Sequence, residues 1–91
     1  MPRFYFTYGT SGQPFKGGWT EIVAPDIHVA CAVFRGFHPD KHEGLMNCSE
    51  VYTERAFEKT GMNGPDGNFG QHCHERITIT KESIDGRRFI P

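Results

Sequence analysis

The stretch that most constrains this chain is Arg3-Phe4-Tyr5-Phe6-Thr7-Tyr8, close to the amino terminus. Successive side chains of a strand point to opposite faces. Phe4, Phe6 and Tyr8 therefore share one face, and Tyr5 and Thr7 share the other. A second run, Trp19-Thr20-Glu21-Ile22-Val23-Ala24, also reads as a strand. Between them, Gly9 to Gly18 is rich in turn residues, so the pair predicts an antiparallel hairpin with a long glycine-rich connection.

Pro25-Asp26 opens a helix, with Asp26 as its N-cap. Ile27, Ala30, Cys31, Phe34 and Phe37 follow helical spacing and form an apolar stripe that lies across one face of the hairpin. His38-Pro39 closes the helix, because a residue before proline avoids helical backbone angles. Residues 40–47 read as a polar loop and 48–53 as a short strand. Thr53 caps a short helix from Glu54 to Lys59, with Ala56 and Phe57 turned inward. The glycines of 61–70 predict irregular chain, and 75–80 is a strand with Ile77 and Ile79 on one face. Asp85-Gly86 signals a turn, after which Arg87 to Ile90 either pairs as a last edge strand or wanders.

The expected fold is therefore α+β: a small antiparallel β-sheet with one main helix packed on it, approximately β-β-α-β-α-β, and a looped second half. At 91 residues, 1–91 make one domain. A chain of this length buries roughly 60–65% of its unfolded surface, so a metal, a partner or a disulfide would add needed stability.

Bulk charge narrows the partners. A net charge of -1 lacks the basic excess of a non-specific nucleic-acid binder and the acidity of a DNA mimic. Three cysteines are an odd and sparse set for a secreted disulfide scaffold. Met1-Pro2-Arg3 runs into the aromatic strand without an apolar signal region, and no apolar run is long enough to span a membrane. These features lead us to expect a cytoplasmic protein with reduced thiols.

His38, His42, Cys48, His72, Cys73 and His74 are residue types that bind zinc. The candidate ligand set is His38, Cys48, Cys73 and His74, with His42 and His72 as substitutes. No regular zinc-finger spacing supports it. On an extended backbone, His72 and His74 would face away from Cys73. The competing reading has Cys48 and Cys73 as small buried residues and the histidines as solvated loop groups. Cys31 falls on the apolar stripe and reads as a core thiol, and His28 falls on the opposite, exposed flank. Cys73 as a nucleophile would need a base within reach and an oxyanion site, and the sequence identifies neither. No enzyme is expected.

The Gly9 to Gly18 loop joins two strands instead of entering a helix, so it lacks the helix-dipole contribution of a phosphate loop. Exposed loops on rigid scaffolds often carry binding. Phe15, Lys16 and Trp19 are accordingly the expected contact residues there, joined by Arg87 and Arg88 in the tail. Arg3 and Arg35, with these cations, would be needed to turn the aromatic strand into a single-stranded nucleic-acid platform. An ordinary core face is the simpler reading, with Tyr5 against a neighbouring side chain or a second subunit.

Tyr8-Gly9-Thr10, Gly17-Gly18-Trp19, Phe37-His38-Pro39-Asp40, Asn47-Cys48-Ser49, Tyr52-Thr53 and Phe57 together give a pattern running on to Cys73-His74-Glu75. In this pattern the chain resembles a group of short uncharacterised proteins of bacterial phages and mobile elements. The resemblance implies a non-enzymatic binding protein, phage-encoded, acting in the cytoplasm of the bacterial host cell. It would inhibit a host defence factor, as anti-CRISPR proteins do, or sequester a nucleotide ligand. The alternative is a zinc-stabilised module that binds nucleic acid or protein. A sheet with free edges also invites a homodimer.

Overall fold

The computed structural model describes residues 1–61 and 73–79. The elements are β1 (Arg3–Thr7), β2 (Trp19–Val23), α1 (Ile27–Phe37), β3 (Glu50–Thr53), α2 (Glu54–Thr60) and β4 (Cys73–Thr78). They form one four-stranded sheet in the order β3-β1-β2-β4. The α+β class and the β-β-α-β-α-β order are those the sequence predicts.

One expectation changes. β1 pairs antiparallel with β2 and with β3, but β4 pairs parallel with β2. The sheet is therefore mixed, and β1 alone runs against the other strands. Residues 54–72 make this possible. A hairpin reverses direction within a few residues, whereas parallel strands need a crossover of a dozen or more. This connection, with α2 inside it, is long enough to carry the chain from one sheet edge to the other.

The helices lie on opposite faces of the sheet. Ala30, Val33 and Phe34 of α1 pack on Phe4, Phe6, Tyr8, Ile22, Ala24 and Ile79. Phe6 and Phe34 stack at 4.5 Å with their planes 2° apart. Phe57 of α2 packs on Tyr5 and Trp19 on the other face. Tyr5 thus meets a neighbouring side chain of its own chain, stacking on Phe57 at 4.2 Å.

Both caps are as the sequence predicts. The Asp26 carboxylate accepts from the Val29 amide at 2.9 Å, and the Thr53 hydroxyl accepts from the Ala56 amide at 3.2 Å. Gly61 ends α2 at φ 72°, a left-handed cap that favours glycine. The apolar stripe of α1 is centred on Ala30, Val33 and Phe34, while Ile27 and Phe37 overhang at its two ends and are exposed. In α2 only Phe57 is buried and Ala56 faces solvent, because a seven-residue helix has fewer than two turns and presents little inward surface. The Asp85-Gly86 turn, the tail strand, and residues 62–70 of the expected irregular segment lie outside the described residues.

Candidate functional site

A chain of polar groups runs through the α1 face of the sheet. Tyr8 Oη and Thr20 Oγ1 lie 2.5 Å apart, and Thr20 Oγ1 donates to Glu75 Oε1 at 2.9 Å. Since that donation uses the single hydroxyl hydrogen of Thr20, Tyr8 must be the donor to Thr20. Burial pushes the Tyr8 phenol well above its ordinary value, which keeps it protonated for that role. His38 Nε2 lies 2.7 Å from the same Glu75 oxygen and donates to it. Tyr8 and Thr20 are buried, and the Glu75 and His38 side chains are largely covered.

The pairing of β4 beside β2 builds this relay, and a register shift marks its edge. Trp19 pairs with Cys73, but the next residue of β2, Thr20, pairs with Glu75. His74 is thus an extra residue, a β-bulge. In a regular strand Cys73 and Glu75 would share a face. The bulge sends Cys73 to the α2 side, where it packs on the Tyr5, Trp19 and Phe57 cluster. Glu75 lies on the α1 side by ordinary alternation with Ile77 and Ile79, within reach of His38. The His74 ring stacks on Phe15 at 5.1 Å, and Phe15 meets Tyr8 and His38 edge-to-face, each at 5.8 Å. Phe15 therefore pins the long β1–β2 loop to the relay.

That anchoring leaves the loop tip facing residues 41–48 across a cleft of about 250 Å³. Gln13 Oε1 accepts from the Gly9 amide at 2.9 Å, the Thr10 amide at 3.2 Å and the Ser49 hydroxyl at 3.0 Å. The Ser49 oxygen accepts from the Gly9 amide at 2.8 Å. A Cβ at Gly9 would come within 3.0 Å of that oxygen, so the close approach depends on glycine. Lys41 Nζ donates across the cleft to the Gly12 carbonyl, and Gly12 holds φ +93°. The two walls are joined before any ligand arrives.

The expected contact residues divide. Lys16 is exposed, as a contact residue should be. Phe15 is half-buried against the core and anchors its loop. Trp19 is 7% exposed and belongs to the α2-side cluster. The sheet takes both aromatic rings inward because burying them stabilises a small domain more than displaying them. Arg87 and Arg88 lie outside the described residues.

The expected zinc ligands divide as well. His38 and His74 both touch the Phe15 ring. Cys48 packs on the α1-side core and Cys73 on the opposite cluster. Among the described residues no group of three or more His, Cys, Asp or Glu is arranged to hold a metal ion. Burial pushes the Cys48 thiol up to about 11 and raises that of Cys31, so both are protonated at neutral pH and weak nucleophiles. Sequence reasoning missed Thr20 and Glu75, which are 55 residues apart, and the bridging group Gln13, Lys41 and Ser49.

The chain matches no protein-family model, no curated protein and no solved structure. Among the described residues no helix is long and apolar enough to cross a membrane.

Proposed function

We propose that the chain is a non-enzymatic binding protein that acts by occupying a ligand. The observation that carries this reading is the cleft between the loop tip and residues 41–48, whose walls are already held by Gln13, Ser49 and Lys41. A preformed site avoids part of the ordering cost that binding otherwise incurs. Further support comes from the side chains a catalyst would need. Glu75 is engaged by Thr20 and His38, and the sheet separates Cys73 from His38. The setting we propose is the cytoplasm of a bacterial host, with the chain phage-encoded and sequestering a nucleotide. Inhibition of a host defence protein by direct contact, as by an anti-CRISPR protein, is the competing outcome.

Native mass spectrometry of protein purified from bacterial lysate tests this. A co-purified small molecule, or its binding to the bare chain, is the expected result. Capture of a host protein with the cleft still empty would favour the contact reading. Turnover of any bound molecule would overturn both. The same spectra report zinc and copy number. A mass equal to the bare polypeptide removes the zinc-stabilised alternative, and a doubled mass supports a homodimer paired along an outer strand.

A further inference from the structure

We infer that the cleft between the β1–β2 loop tip and residues 41–48 is a binding site for a small organic phosphate, with Lys41 as its counter-charge. This rests on the occupancy reading above and names the ligand class. The ten lining residues include Lys41 and His42 and no carboxylate. Asp40, next to Lys41 in sequence, is held by Arg35, whose Nε donates to Oδ1 at 3.1 Å. Glu43, on the same wall, is not among the lining residues, so the Lys41 ammonium is the charge that faces the cleft and suits an anion.

The kind of anion follows from the donors. Thr10 and Ser11 on one wall and Asn47 on the other add two hydroxyls and an amide to the ammonium and the imidazole. Donors from two walls around one cation suit the three outer oxygens of a phosphate monoester better than the two of a carboxylate. Lys41 spends one hydrogen on the Gly12 carbonyl and keeps others for a ligand. Leu45, 63% exposed, and Met46 form the apolar part of the lining, which suits the sugar or base attached to the phosphate. At about 250 Å³ the cleft is smaller than the roughly 300 Å³ where drug-sized sites begin. It takes the phosphate and its attached sugar, and leaves a larger group outside.

The test is a backbone NMR titration of the full chain with inorganic phosphate, adenosine 5′-monophosphate and adenosine. Concentrations run to about 10 mM, so that even a Kd of a few mM registers. Shifts of Ser11, Gly12, Leu45 and Asn47 amides with the monophosphate, and none with adenosine, are expected. Shifts with inorganic phosphate that equal those with the monophosphate would mean that the attached group makes no contact, and would overturn the organic part of the assignment. Lys41→Met should weaken the monophosphate by about tenfold or more, whereas Lys41→Arg should retain it. Unchanged binding by Lys41→Met, with an unchanged thermal midpoint, would overturn the site. No shift with any probe would overturn the ligand class. In that case a different co-purified small molecule would leave the occupancy reading standing, and turnover of the monophosphate would end it.

Discussion

The two faces of the sheet draw on alternate residues of the same strands, yet they are built differently. On the α1 side, Phe4, Phe6, Tyr8, Ile22 and Phe34 make the larger core, and a four-group polar relay crosses it from Tyr8 to His38. On the α2 side, Tyr5, Trp19 and Phe57 form a small aromatic cluster: Phe57 stacks on Tyr5 and meets Trp19 edge-on at 4.9 Å. The aromatic face needs only area and ring geometry. The relay face needs every donor matched to an acceptor, because an unpaired buried polar group costs more than a hydrogen bond returns. Among the described residues no buried side-chain polar atom lacks a partner. One face can thus tolerate repacking, while the other is tied to one register of β4.

The largest effect that separates the faces is truncation of their central rings. Phe34→Ala should cost about 4–5 kcal/mol and Phe57→Ala about 3, in a domain whose total stability is about 5–15 kcal/mol. Urea unfolding followed by Trp19 fluorescence measures both. Equal costs would mean that the α2 cluster is no satellite.

Glu75→Ala removes the acceptor that Thr20 and His38 share, at a cost of about 2–3 kcal/mol. The His38 ring ¹⁵N shifts should move to those of a solvated imidazole. If they stay in place, Glu75 does not hold His38.

Smaller effects come from the buried end of the relay. Tyr8→Phe and Thr20→Val should each cost about 1–2 kcal/mol, and the double variant about 1 kcal/mol less than their sum. Strict additivity would deny the Tyr8–Thr20 bond.

The weakest and most selective comparison is with pH. The Cys48 thiol is raised by burial from 9.0 to about 11 and lies on the α1 side. The Tyr5 phenol is raised by burial and by Glu21 from 10.0 to about 12 and lies on the α2 side. In each case the unfolded chain releases its proton first. The stabilisation is whole below the unfolded value and is lost as pH climbs to the folded one. The thermal midpoint should therefore fall from about pH 9 upward. Cys48→Ala should lessen the slope over pH 9–11, which Cys31 shares, and Tyr5→Phe that over pH 10–12, which Tyr8 shares. A decline that neither variant alters would place the alkaline sensitivity elsewhere.

Much of the fold is legible in local pattern. Aromatic alternation marks β1, Asp26 and Pro39 bracket α1, and Thr53 starts α2. These signals act within a few residues, where sterics and capping decide the outcome. The parallel pairing of β4 has no such signal, since the direction of a strand is set by what its whole length packs against. The candidate site was legible only in fragments. Phe15 and His38 were visible as residues of interest, but their partners came from distant segments. Phe15 and Trp19 were expected outside and lie inside, because a glycine-rich loop is read as exposed until a core is found for its aromatic ring.

The amino-acid order by itself determined which stretches are strand or helix and which strand faces are apolar. Those choices rest on backbone angles and side-chain spacing, which are local. That Glu75 meets His38 and that Lys41 spans to Gly12 follows from long-range packing. Those meetings depend on the docking of β4 beside β2 and on a loop pinned by Phe15, and both take effect only when segments far apart in the chain are packed together.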